Sequence, residues 1–172
     1  GILWAVLRPI LLMVVFSLLF GQLAQLSSEG IPYPLFNFAA LLPWQLFAKA
    51  LSESSRSLTN NSHMITKVYF PRAILPLASV LSGVVDFGIA FVVLIIMMLF
   101  FGYTPTWNAL WAVPAFLLLT IISALGIGLW LSALNVMYRD VNYLLEFLVQ
   151  FWFFITPITY SPALIPDKWL TL

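Results

Sequence analysis

The 172-residue sequence contains no cysteine, a single histidine and only 8% charged residues. Without cysteine there is no disulfide, no thiolate metal site and no cysteine nucleophile. With His63 alone, and Glu53 as its nearest acidic neighbour in sequence, neither a histidine-rich metal site nor a His–acid pair for proton transfer can be assembled. His63 reads as a polar loop residue facing water or a partner rather than as an isolated acid or base. No G-x-x-x-x-G-K-[ST] run occurs, and Gly126-Ile127-Gly128 is an isolated pair of glycines in apolar sequence that cradles no phosphate. The formal net charge is +1, and the few basic residues fall in short loops without forming a stripe, which excludes nucleic acid as a partner. No catalytic residue, metal ligand or cofactor is therefore expected on this chain, and any ATP it depends on must be bound by another.

What the sequence has in abundance is apolar surface. Hydrophobic residues make up 63% of it, and the mean hydropathy is +1.06. Ordinary soluble domains carry roughly a quarter charged residues, so no water-soluble fold of this size hides so much, and the expected class is an all-α, polytopic membrane helix bundle. A bilayer core about 30 Å thick takes about 20 apolar residues of helix to cross. Five charge-poor runs have that size: 2–23, interrupted by Arg8-Pro9; 31–48, bent at Pro43; 73–101, with Asp86 inside it and long enough to need tilt or an interfacial turn before Pro76; 109–134; and 141–158, with Glu146 near its start and Thr156-Pro157 at its end. Each is read as helix, because lipid offers no partner to unpaired backbone groups and the alternation of barrel strands is absent. The run at Ile2 has neither the basic lead nor the small-residue site of a signal peptide. The expectation is a single membrane domain over 1–172, cut from a longer chain at both ends.

Lys and Arg set the orientation. With the amino end in the cytoplasm, Arg8, Lys49, Arg56, Lys67, Arg72 and Arg139 lie at or near inner ends and only Lys168 is outside, as the positive-inside rule requires. The polar stretch 57–72 is then a cytoplasmic island. Within it Met64, Ile65 and Val68 recur at helical spacing and Pro71 follows, which predicts a short helix ended by the proline. Such a helix is marginal alone, so it rests on a soluble partner or, through Lys67 and Arg72, on lipid headgroups. Ala124, Gly128 and Ser132 on the fourth span, and Ser79 with Gly83 on the third, are small residues four apart that let backbones approach, either within one bundle or between subunits.

Intramembrane charges are costly and mark function by default. Arg8 and Glu146 lie close enough to the inner interface to snorkel. The short side chain of Asp86, in mid-span, cannot do so easily, and it should face the bundle interior with a hydrogen-bond partner, as a structural pair or as a proton or substrate site. Tyr138-Arg139-Asp140, flanked by Asn135 and Asn142, is expected to clasp the turn between the fourth and fifth spans through charge-assisted hydrogen bonds.

Several blocks taken together resemble one family. These are 61–72 ending in Lys67-Val68-Tyr69-Phe70-Pro71-Arg72; Val85-Asp86-Phe87; Leu134-Asn135-Val136 running into Tyr138-Arg139-Asp140-Val141; Pro157-Ile158-Thr159-Tyr160; and the leading Leu3-Trp4-Ala5 with the loop Gly30-Ile31-Pro32-Tyr33-Pro34. In this order they resemble the ABC-2 type permeases that export polysaccharide of the O-antigen, capsule and teichoic-acid types across the bacterial inner membrane. The resemblance implies six spans with an interfacial amino-terminal helix and re-entrant outer helices in the complete permease, two copies enclosing a channel, and two ATPase subunits below that hold the ATP and Mg. It also implies that the cytoplasmic loop 57–72 contains a coupling helix seated in the ATPase, which makes Asn61, His63, Met64, Ile65 and Lys67 the candidate coupling residues. An aromatic channel lining is implied too. A long glycan must slide over many weak contacts, and the C–H faces of sugars pack on aromatic faces. The candidate stripes at helical spacing are Phe147, Phe151 and Phe154, and Trp44 with Phe47.

Two other functions compete. An ion-coupled secondary carrier using Asp86 would show paired halves with broken helices at matching positions, and the sequence has no such pair. A membrane enzyme acting on lipid-linked sugars would need clustered acids or His–acid pairs, which are absent.

Overall fold

The computed structural model describes residues 2–16, 18–19, 31–138 and 140–156. It is an all-helical membrane bundle of α1 (Ile2–Phe16), α2 (Tyr33–Asn60), α3 (Ser62–Lys67), α4 (Ile74–Phe100), α5 (Trp107–Met137) and α6 (Val141–Ile155), with no strand among the described residues. Within the described residues the five expected spans fall on α1, α2, α4, α5 and α6; positions 17 and 20–23 of the first and 157–158 of the fifth lie outside them. Helices α4 and α5, at 27 and 31 residues, are long and apolar enough to cross a membrane, and α6 is a shorter apolar helix. At 1.5 Å per residue, α4 is about 40 Å long, which exceeds the hydrocarbon thickness and agrees with the need for tilt or an emergent end. Its end is a Schellman turn: Gly102 adopts φ 76°, while the N–H of Tyr103 reaches Met98 O at 2.9 Å and that of Gly102 reaches Leu99 O at 3.1 Å.

The element that differs most from expectation is α2. The apolar run stops at Ala48, but the helix, with Pro43 inside it, continues through Lys49, Glu53 and Arg56 to Asn60. The second half, rich in Ser and Thr, is a poor helix former by propensity. Two of its hydroxyls are satisfied by carbonyls of the preceding turn, which accommodates them in the helix without stabilising it: Ser57 Oγ to Ser54 O at 2.7 Å and Thr59 Oγ1 to Arg56 O at 3.0 Å. Lys49 and Glu53, one turn apart, add an ion pair at 3.7 Å. Burial does the rest, since Leu51, Ser54, Ser55 and Ser57 are all buried.

Among the described residues α2 meets every other helix, and α4 and α5 flank it along most of its length. One core, Leu35, Phe38 and Leu42 of α2 with Ala90 and Leu94 of α4, is closed by Ile10 and Met13 of α1. A second, at the other half of α2, joins Ala50, Val80 and Ala124. The small residues expected to bring helices together do so within this one bundle. Gly83 of α4 is buried beside Leu46 and Ala50 of α2, and Ala124, Gly128 and Ser132 of α5 are all buried, with Gly128 against Ser54.

Candidate functional site

At the end of the bundle where α2 stops, a single residue, Asn61, joins it to α3. Asn61 serves both helices: its Nδ2 donates to Ser57 O at 2.8 Å, satisfying an otherwise orphan carbonyl of α2, and its own carbonyl accepts the first α3 bonds from Met64 and Ile65. Helix α3 is six residues long with no buried residue. His63, Met64 and Lys67 are exposed and Ile65 half-buried. The helix ends earlier than the proline signal predicted, because Val68 is already extended at φ −128°, ψ 130°. Pro71 forbids helix at Phe70, and the chain leaves the helical region two residues before that.

Behind α3 lies an open cleft of about 850 Å³ between the end of α2 and the turn joining α5 to α6. Its floor is Asn135, 1% exposed. The Nδ2 of Asn135 donates to Ser55 O at 3.1 Å and to Asn142 Oδ1 at 3.0 Å, so one amide ties α5 to α2 and to α6. The flanking residues of the predicted clasp thus meet through a neutral amide pair, without a charge-assisted bond. Tyr138 and Asp140 are exposed, and Asp140 precedes α6 without a side-chain cap. Arg139 lies outside the described residues. At the edge of the cleft Arg56 of α2 pairs with Glu146 of α6. Glu146, expected to reach the interface alone, therefore has a protein partner.

Asp86 has the partner predicted for it, which is Lys49 of α2, and Lys49 also faces Glu53. The Asp86 carboxylate is at the α2–α4 seam, 38% exposed rather than enclosed. The side chain of Arg8 lies outside the described residues. The residues that sequence reasoning missed are the cations of these pairs: Lys49 and Arg56 counted only as inner-end positive charges. The available signal was their spacing on one helix continuous with the apolar run, two turns apart.

The whole chain, residues 1–172, matches the family described as ABC-2 type transporter. The chain belongs to the ABC-2 type transporter family. It is similar to a protein of Myxococcus xanthus named O-antigen export system permease protein RfbA, 31% identical over 98% of this chain and 64% of the relative. Two proteins of the same name from Klebsiella pneumoniae are 29% and 31% identical over the same shares. The chain thus spans 64% of the length of the relatives it matches.

The two aromatic stripes of this ABC-2 chain have different surroundings. Trp44 and Phe47 are half-buried between α2 and α6, with Trp44 5.7 Å from Phe153 and Phe47 6.4 Å from Trp152, centroid to centroid. They pack helices together inside one copy. Phe147, Phe151 and Phe154 are on the opposite face of α6 and are exposed, with Phe147 and Phe151 stacked at 6.2 Å.

Proposed function

We propose that this chain is the membrane-spanning permease subunit of an ATP-driven ABC exporter. On this reading it carries lipid-linked polysaccharide of the O-antigen class, or of the related capsule and teichoic-acid classes, from the cytoplasm across the bacterial inner membrane. The observation that carries the reading is α3, a short helix with no side chain buried in its own bundle, attached through one residue to the helix that touches all others. A helix of that length does not stand in water unsupported, so its exposed Met64, with His63 and Lys67 beside it, suits a cleft on a soluble ATPase that binds ATP and Mg. The absence of a linker longer than Asn61 means that displacement of α3 moves α2, and through α2 the packed α4 and α5. Two copies then enclose the path, with the amino ends in the cytoplasm, where six of the seven basic residues fall. The names of the relatives support the polysaccharide class.

The ion-coupled carrier is disfavoured by the pairing of Asp86. A carboxylate already matched to Lys49 has a structural task, and a single acid without further acids along the span makes a poor proton relay. The test is to delete the gene in its host and follow surface glycan by immunoblot. The exporter reading expects glycan to accumulate inside, and rescue by the permease only together with an ATPase whose Walker A lysine is intact. Dissipating the proton gradient while ATP is maintained should leave export running, and immediate arrest would assign the energy source to ions.

A further inference from the structure

Helix α3 is fixed to the bundle unevenly at its two ends. Among the described helices it approaches only α2. At its far end it passes into extended backbone at Val68, and both Val68 and Tyr69 are exposed, so the return toward α4 begins with chain that packs on nothing. At its near end the joint is Asn61, with φ −107° and ψ 21°. The backbone N–H of Asn61 turns to Thr59 O and away from Ser57 O, the acceptor that a continuing helix would use. The side-chain Nδ2 takes its place and donates to Ser57 O at 2.8 Å, while the Asn61 carbonyl accepts from the N–H groups of Met64 and Ile65. One side chain therefore carries the helical bond across a break in the backbone.

The bundle side of this joint is held firmly. Ser57 is buried, Asn135 Nδ2 of α5 binds Ser55 O at 3.1 Å, and Ser54 lies against Gly128 of α5. The end of α2 cannot swivel apart from α5, so the freedom left between α3 and the bundle is rotation of the backbone about Asn61. The amide that opposes this rotation serves the carbonyl of a buried residue, which makes the bond costly to lose.

We propose that Asn61 is a positioning residue: its amide splices α3 to α2 so that the two helices turn as one body, and it acts on transport through that bond and not by touching the ATPase. The inference rests on the exporter reading and changes the task of one residue within it. Asn61 stands in sequence among the candidate contact residues, but its amide is committed to the backbone of its own chain, whereas Met64 and Lys67 are exposed. Without the splice, α3 can stay seated on its partner while α2 no longer follows it.

The test uses the full-length permease expressed with its ATPase in cells that make the glycan. Asn61→Asp keeps the shape of the side chain and removes the donor, and because aspartate starts a helix as well as asparagine does, α3 is retained. Asn61→Thr restores a donor able to reach back one turn, as Thr156 does to Trp152 O at the end of α6. The Asp variant is expected to keep normal abundance and ATPase co-purification while export falls about five-fold or more, and the Thr variant to recover most of the export. The placement of α3 is read from spin labels on cysteines introduced at exposed Thr66 of α3 and exposed Leu118 of α5, a chain whose residues 1–172 contain no other cysteine. The distance distribution should be narrow with asparagine or threonine at position 61 and broad with aspartate. Normal export by the Asp variant, loss of the ATPase together with export, a fall in abundance alone, or a distribution that does not broaden each overturns the proposal. If deleting the gene leaves glycan export intact, the exporter reading itself fails; if export depends on the gene but the Asp variant exports normally, only the role given to Asn61 fails.

Discussion

Gly128 of α5 lies so close to Ser54 of α2 that a Cβ on the glycine would stand 2.5 Å from Ser54 Oγ and 2.8 Å from Ser54 Cβ. Rotating the serine removes the first clash but not the second, so the two helices are fixed at a separation that only glycine allows. Gly128→Ala should therefore destabilise the folded permease by about 1–3 kcal/mol, as overpacking does, read as a lower melting temperature in detergent. Ser54→Gly should suppress the defect where Ser54→Ala, which keeps the Cβ, should not. Equal rescue by both would show that the hydroxyl alone is crowded.

The Lys49–Asp86 pair predicts an order among substitutions. Asp86→Asn keeps hydrogen-bonding capacity toward Lys49, whereas Asp86→Leu leaves the ammonium only Glu53, 3.7 Å away, as a partner. Permease abundance should fall more for Leu than for Asn, and Lys49→Met combined with Asp86→Leu should recover part of the loss. If Asn and Leu stop transport equally while abundance holds, ionisation of Asp86 is itself required and the carrier reading gains.

Arg56–Glu146 is the more exposed pair, with side chains 35% and 58% accessible. Glu146→Gln should accordingly change stability by less than about 1 kcal/mol, measured by the same thermal assay. A larger drop would mean that the pair is desolvated in the assembled transporter.

The aromatic residues divide by location. Trp44→Ala and Phe47→Ala remove packing against Phe153 and Trp152 and should lower abundance. Phe151→Ala with Phe154→Ala removes exposed rings and should slow export of long chains while abundance and ATPase association stay the same. A fall in abundance alone would make the Phe147, Phe151 and Phe154 stripe a packing surface.

Much of this bundle is legible in the sequence because lipid simplifies the code: apolar runs of span length become helices, and small residues four apart become close contacts, as at Gly83 and Gly128. The part of α2 beyond Ala48 was hidden because Ser, Glu and Arg signal a loop when composition is the guide, whereas here burial against Gly128 and Asn135 of α5 overrides propensity. The partners of Asp86 and Glu146 were hidden for another reason. They stand 37 and 90 residues away, a distance that only the packing of α4 and α6 on α2 closes. The spacing of Met64, Ile65 and Val68 predicts a short helix, and α3 contains the first two but not Val68, whose extended backbone ends it before Pro71 can.

The central claim is that α3 transmits ATPase work to the bundle, and the variant Met64→Asp with Ile65→Asp tests it most directly, because Met64 is exposed, Ile65 only half-buried, and no residue of α3 is fully buried in the chain. Glycan export and ATPase co-purification should be measured together in cells carrying the full-length variant. The account predicts that the permease inserts at normal abundance, loses its ATPase on purification and exports no glycan. Normal export with unchanged ATPase association would contradict it.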